Sequence, residues 1–63
     1  MNAPQTLTLP GLEAVYDALA LAIDEAGPDK AELFLVKLAL LNAQALGEAD
    51  RFRQQIAAAL RDL

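Results

Sequence analysis

Carboxylates are the one reactive group this chain carries in number: Glu13 and Asp17 stand one helical turn apart, and Asp17 and Asp24 two turns apart. Acids at that spacing can work as a general acid and base or hold a hard cation, provided that a concave site strips them of water. On the outer side of a short helix they face solvent, where nothing perturbs them, so a solvated face with no metal is the expected reading. The remaining inventory is sparse. The sequence has no His, Cys, Ser or Trp. That excludes nucleophilic triads and Cys–His pairs, a bundle di-metal site built on Glu-x-x-His, and a serine that could carry phosphopantetheine.

The hydroxyls are Thr6, Thr8 and Tyr16. Tyr16 falls in a row with Leu12 and Leu19, which reads as a core position whose phenolic oxygen reaches water rather than as a ligand contact. Gly11, Gly27 and Gly47 are isolated, so there is no glycine-rich phosphate loop, and all three read as punctuation at helix boundaries. No catalytic constellation and no cofactor site emerge. The expected protein is not an enzyme.

The net charge is −4 over 63 residues. A nucleic-acid binder gathers Lys and Arg on one face, and here the five acids up to Asp29 (Glu13, Asp17, Asp24, Glu25, Asp29) have no base among them. From Lys30 onward five bases nearly balance four acids. Such segregation can steer docking between segments or partners. The longest apolar stretch is broken by Lys37 and is shorter than the roughly 20 residues a bilayer demands, and the first residues lack both the basic start and the apolar run of a signal peptide. A cytoplasmic protein that binds neither membrane nor nucleic acid is expected.

The elements follow from periodicity. Residues 1–8 are polar, contain a proline and show no period, so they read as a flexible arm. Residues 9–63 then form one domain of three helices, at about 10–26, 30–46 and 49–61. Thr8 caps the first helix, Pro10 sits in its first turn and Leu12, Val15, Tyr16, Leu19 and Ile23 make its apolar stripe, until Gly27 and Pro28 stop it. Asp29 and Glu32 have the spacing of a capping box for the second helix, which Gly47 closes. Acids at 48 and 50 open the third, whose stripe is Phe52, Ile56, Ala59, Leu60 and Leu63. No strand pattern occurs. Short connections favour antiparallel neighbours, a helical hairpin plus a third short helix in an all-α three-helix bundle.

The second helix is the informative one. At about 100° per residue, Phe34, Leu38, Leu41 and Ala45 share one face. Leu33, Val36, Leu40 and Ala43 share another about 100° or more away, and Leu35, Ala39 and Leu46 extend it. The first set is assigned to the intramolecular core and the second to a partner surface, with the reverse assignment open. Two short amphipathic neighbours leave such a helix undercovered, and a chain of this length buries only about 60% of its unfolded surface. With no cysteine for a disulfide or a thiolate metal site, oligomerisation is the remaining staple.

The expectation is therefore a homo-oligomer, a dimer first, in which the second helix pairs with its copy. An accessory subunit docking on a larger enzyme and a monomeric structural domain are the alternatives. Asn42 either faces water or fixes the register of a helix pair. Leu21, among Asp17, Asp24 and Glu25, is either a lone exposed leucine or the edge of the interface.

The residues 12–19, LEAVYDAL, followed by LFLVKLALLNAQALGE at 33–48 and an amphipathic tail, resemble a short bacterial family catalogued as domain of unknown function two-seven-eight-three. Val15, Tyr16, Asp17, Gly47 and Glu48 match its pattern, whereas Gln44 and Ala45 stand where the family carries Asn and His. Any role of that polar pair is not carried over. The resemblance implies a small helical bacterial protein and supplies no activity.

Overall fold

Three helices account for most of the chain in the computed structural model, which describes residues 6–61 and 63; they are α1 (Leu9–Ala26), α2 (Ala31–Leu46) and α3 (Ala49–Leu60), with no strand among the described residues. Of the expected arm, residues 1–5 lie outside the described part, and residues 6–8 are exposed and irregular.

Each helix boundary has a local cause. Thr8 adopts an extended backbone (φ −67°, ψ 165°), and its Oγ1 accepts the Gly11 N–H at 3.1 Å. Its carbonyl accepts the Leu12 N–H at 2.8 Å as the first helical bond, so the hydroxyl satisfies one of the amides that a helix start leaves without partners. Pro10 occupies the first turn, where a missing N–H costs nothing. At the other end the Gly27 N–H reaches Ile23 O at 3.1 Å, with Gly27 at φ 82° and ψ 161°. The positive φ is the usual glycine exit from a helix. The extended ψ reflects Pro28, whose ring disfavours the helical region for the residue before it.

The expected capping box is not formed. Residues 28–30 make a turn closed by the Lys30 N–H on Gly27 O at 3.1 Å, and α2 begins one residue later than expected, at Ala31. Among the described residues neither Asp29 nor Glu32 makes a side-chain hydrogen bond; with Ala31 the first helical residue, Lys30 rather than Asp29 stands before the helix and the box is out of register by one. Gly47 (φ 77°) ends α2 with its N–H on Ala43 O at 2.9 Å. Glu48 precedes α3 with an extended backbone and no side-chain cap. Its carboxylate instead lies 3.7 Å from the Arg51 guanidinium, and Asp50 in the first turn binds Arg53 at 2.6 Å.

The chain divides into two compact units, Met1–Ala31, which carries α1, and Glu32–Leu63, which carries α2 and α3. In the first unit the apolar stripe of α1 is covered only in part. Leu19, Ala22, Ile23 and Ala26 are half-buried, whereas Leu12, Val15 and Tyr16 are exposed. Tyr16, expected in the core, is 71% exposed. It shares its angular position with Ile23, two turns on, and differs from it only in axial position. In the second unit Phe34, Leu38, Ala39, Ala43 and Leu46 of α2 and Phe52 of α3 are half-buried, while Ile56, Ala59, Leu60 and Leu63 of the expected α3 stripe are exposed. No described residue is fully buried.

Candidate interaction surface

Apolar side chains run round most of α2 because all but four of its sixteen residues, Glu32, Lys37, Asn42 and Gln44, are Ala, Leu, Val or Phe. Exposure divides the cylinder. Winding at about 100° per residue puts Val36, Leu40, Leu33, Gln44, Lys37 and Leu41, in that angular order, on a strip about 140° wide, and all six are exposed. Leu40 is 63% and Leu41 64% exposed. The half-buried residues Phe34, Ala31, Leu38, Leu46, Ala39 and Ala43 all lie on the opposite arc, interleaved with the exposed Glu32, Leu35, Asn42 and Ala45.

The candidate interface residues thus separate. Leu33, Val36 and Leu40 lie together on the exposed strip. Ala43 does not join them: it sits at the border of the two arcs and is half-buried. Leu41, expected in the core with Phe34, belongs to the exposed strip, and Ala45 is exposed too. Phe34 and Leu41 are seven residues apart and point the same way, yet only Phe34 is half-buried. Angular position predicts direction; it carries no information about how far along the axis the cover extends. Asn42 is exposed and lies roughly 160° round the helix from Leu40. Leu21 is 70% exposed on α1.

Lys37 is the one charge on the α2 strip, at its mid-length between Leu33 and Leu41. Among the described residues the ion pairs are Arg51–Glu48 and Arg53–Asp50, both three residues apart on α3 and both well exposed. Lys37 takes part in neither, and the acids of α1 have no base on their own helix.

A shallow groove on α1 is lined by Leu12, Glu13, Tyr16 and Asp17, all from one convex helix that cannot shut out water. Among the described residues no group of three or more acids stands together as metal ligands, and no helix is long and apolar enough to cross a membrane. Comparison with models of known protein families, with curated proteins and with solved structures finds no match.

Proposed function

We propose that this chain is a small non-enzymatic helical module that associates with a second copy through the exposed strip of α2, formed by Leu33, Val36, Leu40 and Leu41. The observation that carries the reading is the clustering of exposed apolar side chains on one strip of α2, where Leu33 is 55%, Val36 49%, Leu40 63% and Leu41 64% exposed. Clustered leucines are the part of that surface whose removal from water contributes most.

Self-association of this kind couples stability to concentration, because each copy covers what the other cannot cover alone. The resemblance of residues 12–19 and 33–48 to a bacterial helical family fits a module of this size and adds no activity, so the reading rests on the α2 strip. Sedimentation equilibrium on the purified chain at micromolar concentration tests it. A mass of two chains supports the proposal. A strictly monomeric mass with full helicity overturns it, and a mass that rises only in the presence of a second protein replaces it with an accessory-subunit role.

A further inference from the structure

Resting on the self-association reading, we infer that the surface of the second copy covering the α2 strip is the outer side of its α1, where Leu21 stands inside a ring of acids. The α2 strip is poorly suited to pairing with itself. In a parallel two-fold pair identical residues lie level, and in an antiparallel pair centred on the strip its middle meets its own copy, so both arrangements bring Lys37 beside a second Lys37. Like charges facing each other in an interface are selected against.

The outer side of α1 has the complementary pattern. Leu21 has Asp17 four residues before it, Asp24 three after and Glu25 four after, the spacings that make side chains neighbours on a helix, and all four residues are exposed. Ala14 and Ala18 continue a narrow apolar strip beside Leu21 and are exposed as well, which lets another helix approach closely. No Lys or Arg occurs between residues 6 and 29. A leucine set in acids on α1 therefore matches leucines set round a lone cation on α2. In a two-fold dimer the contact forms twice, α2 of each copy on α1 of the other.

The decisive experiment reverses the charges in separate chains and mixes them. Lys37→Glu alone and Asp17→Lys with Asp24→Lys alone should each weaken the dimer about tenfold, because each homodimer then holds two repulsive contacts in place of two attractive ones. In the mixed dimer one contact is the native pair and the other is its reversal, so an equimolar mixture should regain the wild-type dissociation constant in sedimentation equilibrium. Every substituted position is exposed, and far-UV circular dichroism of the mixture at the same concentration should match the wild type. Variants that dimerise as tightly as the wild type, or a mixture that stays as weak as its components, overturn this inference while leaving α2 self-association standing. A monomeric wild type instead removes the reading beneath it.

Discussion

Replacing Leu40 by Glu puts a carboxylate at the centre of the exposed α2 strip. Leu40 is 63% exposed in the isolated chain, and full burial of a leucine side chain is worth about 1.5–3 kcal/mol. Covering the exposed remainder on association is then worth about 1–2 kcal/mol per copy, or about 2–4 kcal/mol for two copies related by a two-fold axis. At 1.4 kcal/mol per decade, losing that term weakens the dimer between about 30-fold and several hundred-fold, before any desolvation of the new carboxylate. Within one chain the same change removes little, below about 1 kcal/mol, because only the smaller covered fraction is lost. Sedimentation equilibrium from about 1 to 100 μM, with circular dichroism on the same samples, separates the two effects. Dissociation to monomers, with or without loss of helix, is the expected result. If mass and helicity both match the wild type, the strip is ordinary solvated surface and the self-association reading fails. Gln54→Glu on exposed α3 is the control and should alter neither.

Three further substitutions probe the helix ends. Gly27→Ala forces a β-carbon onto φ 82° and ψ 161°, a region held almost exclusively by glycine, and should cost about 1–3 kcal/mol, seen as a fall in the thermal midpoint. Thr8→Ala removes the acceptor of the Gly11 N–H and should cost about 1 kcal/mol; faster amide exchange confined to the first turn of α1 would verify it, and Thr8→Ser should restore protection. Arg53→Ala breaks the 2.6 Å contact to Asp50, whose side chains are 72% and 82% exposed. Solvent screening should limit its effect on the melting temperature to a few tenths of a kcal/mol, and a larger loss would mean that Arg53 has a second role.

The helix boundaries were readable in the sequence because each depends on a few adjacent residues. Thr8 accepting from Gly11, Pro10 in the first turn, Gly27 before Pro28 and Gly47 after Leu46 are interactions across four positions or fewer. The Asp29–Glu32 box was equally local and did not form, since residues 28–30 make a turn and α2 starts at Ala31, one residue too late for Asp29 to cap it. Two conformations compatible with the same short segment differ by little, and the pattern alone does not choose between them.

Residue identity by itself established that α2 is apolar on more than one side, that the acids up to Asp29 have no base among them, and that His, Cys and Ser are missing. Which of those apolar positions is covered was decided only in three dimensions. Leu12 and Leu19 repeat at seven residues, as do Tyr16 and Ile23, and Phe34 and Leu41; in each pair one member is half-buried and the other exposed. The period of a helix encodes the direction in which a side chain points. Cover depends on which atoms lie beyond it, at distances along the axis that no repeat in the sequence records. That difference moved Leu41 onto the exposed strip with Leu33, Val36 and Leu40, withdrew Ala43 from it, and left Lys37 as its one charge.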